Sequence, residues 1–201
     1  MRFLIASLCL LATPALAQDL TYDFAHSQDC IAATDDWFEK LQCVGTSANR
    51  CMEDTEGGYS TVGTGACIWA EYEDWDAELN ALYGPLRERL ANDDKVNEMP
   101  VSTSDALRDA QRAWIPWRDA ACAFERSKWG GGTGGGPAEA GCLMQMTAER
   151  ALSLRNELTV RFRMPFVNYD EAELGGQGDA ERGEKKQGTD HESLQKSGRS
   201  R

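Results

Sequence analysis

The chain has 201 residues, with 33 acidic against 21 basic side chains, a formal charge of −12 and two histidines, His26 and His191. That much negative charge opposes binding to nucleic acid and to anionic membrane surfaces. Two histidines, one near each end, cannot assemble a nucleophile triad or a histidine metal cluster in the central part of the chain.

Arg2, the apolar run from Phe3 to Leu11 and the sequence Ala15-Leu16-Ala17 predict a cleavable secretory leader over residues 1–17. The run is shorter than the roughly 20 apolar residues that span a bilayer, and no later stretch approaches that length, so membrane insertion is not expected. Cys9 follows the large Leu8 inside the apolar part of the leader and does not read as a lipobox cysteine. The mature protein is therefore expected to be periplasmic or secreted, and loss of Arg2 leaves it one unit more negative. An acidic surface suits a basic protein partner through electrostatic steering, although solubility alone also accounts for it.

Six cysteines follow the leader: Cys30, Cys43, Cys51, Cys67, Cys122 and Cys142. An even number in an exported chain implies disulfides, and fifteen pairings are formally open. Cys122 with Cys142 is favoured because the glycine-rich segment between them lets the chain reverse. Cys51 with Cys67 closes another glycine-containing loop, which leaves Cys30 with Cys43. A zinc site is disfavoured, since no C-x-x-C pair is present and export places the thiols in an oxidising compartment.

Apolar spacing predicts an all-α domain over residues 18–167. The segment Cys30 to Cys43 reads as one short helix carrying Ile31, Trp37, Phe38 and Leu41. A long helix is expected from Cys67 to about Ala91, on the recurrence of Trp69, Tyr72, Trp75 or Asp76, Leu79, Leu82 or Tyr83, Leu86 and Leu90, with Gly84-Pro85 a candidate kink. A second opens at Ser102 or Ser104, where Ser102 and Asp105 have capping-box spacing. Its inner face is predicted to hold Leu107, Ala110, Gln111, Trp114, Trp117, Ala121 and Phe124, with a bend at Pro116. Gly130 to Gly136 reads as a flexible connector, not a phosphate loop, because no strand precedes it and no Lys-Ser/Thr follows. The third helix is predicted from about Ala138 to Arg161, with Leu143, Met146, Arg150, Leu154 and Leu158 along one side. Residues 168–201 are polar and charged enough to predict a disordered tail.

Polar residues inside the helices carry more information. Asp76 stands where an apolar stripe should continue, Arg118 follows Trp117, and Arg150 takes an inner position. Arg118 or Arg150 is expected to pair with Glu71, Asp76 or Glu149 across the helix interface, since a guanidinium can grip a carboxylate with two hydrogen bonds. Trp69, Trp75, Trp114 and Trp117 read as core. The run Glu71, Glu73, Asp74, Asp76 and Glu78 could supply a carboxylate of raised pKa for acid catalysis, but a solvated acidic face explains it better, and no catalytic residue is assigned.

The spacing Cys67-x3-Glu71-x4-Asp76-x2-Leu79-Asn80-x2-Tyr83, then Ala110-Gln111-Arg112-Ala113-Trp114-x3-Arg118-Asp119-x2-Cys122, then Cys142-x4-Thr147-x2-Arg150-x3-Leu154 resembles the lysozyme inhibitor LprI-type N-terminal domain family. The resemblance runs from about Cys51 to Leu158 and is most specific in the AQRAW-x3-RD-x2-C segment. Cys30 and Cys43, Pro116 and the charged tail depart from it. The resemblance implies an exported, helical, disulfide-bonded domain that binds without catalysis or cofactor. From their places in the helices, Glu71, Asp76, Asn80, Gln111, Arg118, Asp119 and Arg150 are expected to form a structural polar network. The implied partner is lysozyme or another basic cell-wall hydrolase; an acidic surface such as Glu71, Glu73, Asp74 and Glu78 would speed that encounter, and the exposed-loop candidates for an anchor are Trp129 with the adjoining glycine tract or Tyr59 in the Cys51 to Cys67 loop. The competing expectation is a non-catalytic envelope adaptor for cell-wall material or another exported protein.

Overall fold

The computed structural model describes residues 19–163, with side chains through 160; the expected leader and the tail from 168 lie outside the described residues. Among the described residues there are six helices: α1 (Ala25–Ala32), α2 (Trp37–Gln42), α3 (Thr46–Asp54), α4 (Thr61–Val96), α5 (Thr103–Ser127) and α6 (Gly135–Arg163). None is long and apolar enough to cross a membrane.

Helix α4 starts six residues earlier than the spacing suggests, because the Ser60 side chain caps it by accepting the Gly63 N–H. It continues through Pro85 as one helix of 36 residues, about 54 Å at 1.5 Å per residue. Its buried stripe is Cys67, Glu71, Trp75, Leu79, Leu86 and Leu90. Trp69, expected inside, is 45% exposed: it lies two positions from Cys67, which turns it about 200° around the helix from the stripe.

Helix α5 is capped as predicted, Ser102 Oγ accepting the Asp105 N–H at 3.1 Å. The carboxylate of Asp94, at the end of α4, holds the same turn from the other side through Ser102 Oγ, Thr103 Oγ1 and the Ser104 N–H. The inward stripe of α5 differs in part from the predicted face, which it keeps at Gln111. It is Ser104, Gln111, Arg118 and Cys122, with Leu107 and Trp114 partly buried, whereas Trp117 and Phe124 are exposed. The helix runs through Pro116.

Helix α6 begins within the glycine tract, three residues before its expected start, and buries Ala140, Met144, Thr147, Ala148, Ala151, Leu152 and Leu154. Small residues at 140, 148 and 151 let it lie closely along α4. Cross-helix partners set the directions. Glu78 of α4 pairs with Arg155 of α6, while Gly65 lies against Pro137, so α4 and α6 run parallel. Gln111 with Arg150 and Cys122 with Cys142 make α5 antiparallel to α6.

The single helix expected between Cys30 and Cys43 is two, α1 and α2, joined by a bridge between those cysteines with Cα atoms 5.6 Å apart. Asp36 starts the second by accepting the Glu39 N–H. Ile31 is buried, but Phe38 is exposed and Trp37 marginally so. Cys51 with Cys67 ties α3 to α4, and Cys122 with Cys142 ties α5 to α6. Each bridge restricts the unfolded chain, an effect of about 3 kcal/mol for loops of this size.

Candidate functional site

Glu71 is fully buried in the middle of the α4 stripe, which removes it from the predicted acidic surface. Its Oε1 accepts from Ser27 Oγ and the Gly45 N–H, both at 2.8 Å, and from Trp75 Nε1 at 3.1 Å; its Oε2 accepts the Ala48 N–H at 2.7 Å. Gly45 and Ala48 are the N-cap and third residue of α3. The carboxylate therefore caps that helix from another element, on the end where the helix dipole favours negative charge. Gly45 has φ +92°, a left-handed conformation that suits glycine. Ser27 and Ser47 exchange backbone N–H to hydroxyl bonds at 2.9 Å, closing the network onto α1. No arginine reaches Glu71 among the described contacts; the donors are neutral.

Arg118 forms the second buried polar centre. Its Nε and Nη2 donate to Asp119 Oδ1 at 3.0 and 2.8 Å, its Nη1 to Thr147 Oγ1 at 3.3 Å, and Asp76 lies 3.8 Å away. The guanidinium sits over Trp114 and Tyr72, 5.0 and 5.9 Å from the ring centroids. Asn80 donates to Asp76 on α4. Arg150 is fixed by Nε to Gln111 Oε1 at 3.0 Å, and burial lowers its pKa. Thus Asp76, Asn80, Arg118 and Asp119 form one group, Gln111 and Arg150 another, and Glu71 a third. Glu149, a predicted arginine partner, instead accepts from Gln145.

The acidic run of α4 is mostly engaged internally. Asp74 accepts from the Tyr22 hydroxyl at 2.7 Å; burial, then this contact, raises the Tyr22 pKa well above its usual range. Glu78 holds Arg155 and Gln28. Glu73 is exposed and accepts from Trp69 Nε1 at 2.9 Å. Residues three or four apart on α4 share a face, but a run of near-neighbours wraps around the helix, so this one could not be a single acidic surface.

The exposed apolar residues include a group at one end of the bundle, where α4 and α6 begin and α5 stops. Tyr59 precedes α4, with Val62 in its first turn, and both are largely exposed. Trp129, 54% exposed, stands in the α5–α6 turn, where a Cβ on Gly134 would fall 2.3 Å from the indole ring. Gly134 thus makes room for the ring, and the connector is shaped around Trp129. Between the starts of α4 and α6 runs an open groove of about 530 Å³, floored by Gly65, Ala66, Ala70, Gly136 and Ala140 and walled by Leu20, Val62, Trp69 and Pro137. The sequence reading missed this groove; the small residues at 65, 66, 70, 136 and 140 were its only trace. Among the described residues no group of His, Cys, Asp and Glu is arranged to hold a metal ion. His26 lies in a separate depression with Asp29, Asn49 and Arg50.

A protein of Rhizobium meliloti (strain 1021), itself described as uncharacterized, is 29% identical over 121 residues, a match covering 57% of this chain and 87% of that protein. No solved structure matches the chain. Residues 51–154, from the bridge that joins α3 to α4 through most of α6, match the family described as "Lysozyme inhibitor LprI". The chain belongs to the lysozyme inhibitor LprI family.

Proposed function

We propose that this protein is an exported inhibitor of lysozyme that occludes the enzyme without covalent chemistry. The observation that carries the reading is the family match, which covers α4, α5 and most of α6 together with their disulfides. Three bridges fit an oxidising compartment outside the cytoplasm, and the leader predicted over residues 1–17 fits the same route. A cross-linked scaffold loses little conformational freedom on docking, which favours tight binding from a modest surface. Affinity then comes from a few well-packed anchors. Tyr59 and Trp129 are exposed aromatics at the same end of the bundle, and they are the anchors of this reading.

The test is a turbidity assay of cell-wall lysis by several lysozyme classes, titrated with the oxidised mature protein. Stoichiometric, dose-dependent loss of lysis is expected with at least one class. Undiminished lysis by every class at saturating protein overturns the inhibitor reading.

A further inference from the structure

We infer that the groove between the first turns of α4 and α6 receives an apolar side chain projecting from a basic protein, with a neighbouring lysine or arginine of that protein meeting Glu73. The inference deepens the inhibitor reading and rests on it, since it names the part of the lysozyme surface that would be held.

The groove offers apolar walls in Leu20, Val62, Trp69 and Pro137 over a floor without bulky side chains. A protruding aliphatic or aromatic group can therefore enter where a flat surface could not. Its ionisable rim is unbalanced. Glu73 and Glu139 line it, and Arg126, the cation that lines it, is paired with Glu139 at 2.6 Å, which leaves the charge of Glu73 in excess. Trp69 occupies one oxygen of Glu73, leaving the second oxygen without a partner among the described contacts. Negative potential at the mouth of an apolar slot favours a projection flanked by positive charge and repels an acidic one. The walls on α4 and α6 are also cross-braced: Cys67 of α4 is bridged to α3, and Cys142 of α6 to α5. The slot is formed before any partner arrives.

Gly136→Leu tests the inference with little threat to the fold, because a Cβ at position 136 meets nothing within 4 Å, while its side chain would fill the slot. Gly65→Ala is a smaller filler, its Cβ falling 3.6 Å from Pro137 Cγ. Glu73→Gln keeps the acceptor for Trp69 and removes the charge. The full mature, oxidised protein is titrated with a purified basic c-type lysozyme by calorimetry, lysis is measured in parallel, and thermal melts check folding. Gly136→Leu is expected to weaken binding by about tenfold or more, and Glu73→Gln by a smaller factor that shrinks at high salt. Equal binding by wild type and Gly136→Leu overturns the groove while leaving the inhibitor reading intact. Binding that Gly136→Leu weakens, but that never slows lysis, supports the groove and overturns inhibition. No binding of this lysozyme by the wild type overturns the groove as its docking site, and the inhibitor reading falls with it only where lysis by every other class is also undiminished.

Discussion

The carboxylate of Glu71, in the centre of α4, accepts the backbone N–H of Ala48 at 2.7 Å and so completes the first turn of a different helix. This one contact joins the segment ahead of the family match to the match itself, because Ala48 precedes residue 51 and Glu71 follows it. Glu71→Gln keeps the volume but places an NH2 group against backbone donors. Hydrogen bonds to a charged group contribute about 1.5–3 kcal/mol each, so a loss of about 3 kcal/mol is expected by guanidinium denaturation of the oxidised protein. An unchanged midpoint would show that the cap is dispensable.

Arg118 should tolerate lysine poorly. A lysine has no planar fork to span Asp119 and Thr147, and no flat face to lie over Trp114. With Arg118 only 8% exposed, Arg118→Lys is expected to lower stability by about 2 kcal/mol. A double-mutant cycle with Thr147→Val should show coupling of about 0.5 kcal/mol or more, as for residues in one network. Additive losses would mean the Thr147 contact carries no energy.

The hydrogen bonds that Asp94 accepts at the α4–α5 corner predict a sensitivity to acid there. Its pKa is lowered, first by the Thr103 hydroxyl and further by the Ser104 and Thr103 backbone and the Ser102 hydroxyl. A carboxyl whose folded pKa lies below its unfolded value, about 3.9, contributes its stability above that value and loses it as pH falls through the folded pKa. Asp94→Asn should therefore lower the melting temperature at neutral pH and flatten its decline below about pH 4. Parallel melting curves for wild type and variant across that range would remove Asp94 from the acid response.

Much of this architecture was legible because long helices announce themselves by period. The α5 cap at Ser102 and the division into three long helices follow from local rules that tertiary packing did not override. The rotation of α5 was not legible. Gln111 is buried as the spacing predicts, but the apolar count favours Trp117 and Phe124, which are exposed, while Arg118 turns inward because Thr147 on α6 and Asp76 on α4 offer it partners. A sequence displays polarity and hides the partner that makes a polar residue worth burying. Glu71 is the same case: a member of a five-residue acidic run, it has four donors waiting on α1, on the start of α3 and on α4 itself. Helix α3 was hidden because its sequence is polar and its start is held by Glu71 in place of a capping side chain of its own.

The burial of Glu71 and the internal pairing of Asp74 and Glu78 relocate any electrostatic attraction. If encounter with a basic enzyme is steered, the field comes from the whole chain, charge −12, and from exposed carboxylates such as Glu73, not from the α4 run as a block. Raising ionic strength from about 0.01 to 0.15 M shortens the screening length from about 30 to 8 Å. The association rate should then fall by about tenfold or more, with the dissociation rate nearly constant, as read by stopped-flow or surface binding kinetics. Asp74→Asn and Glu78→Gln should act differently: they remove partners of Tyr22 and Arg155, lowering stability more than they slow association. A larger loss of association rate in these variants than in Glu73→Gln would restore the α4 run as the steering surface.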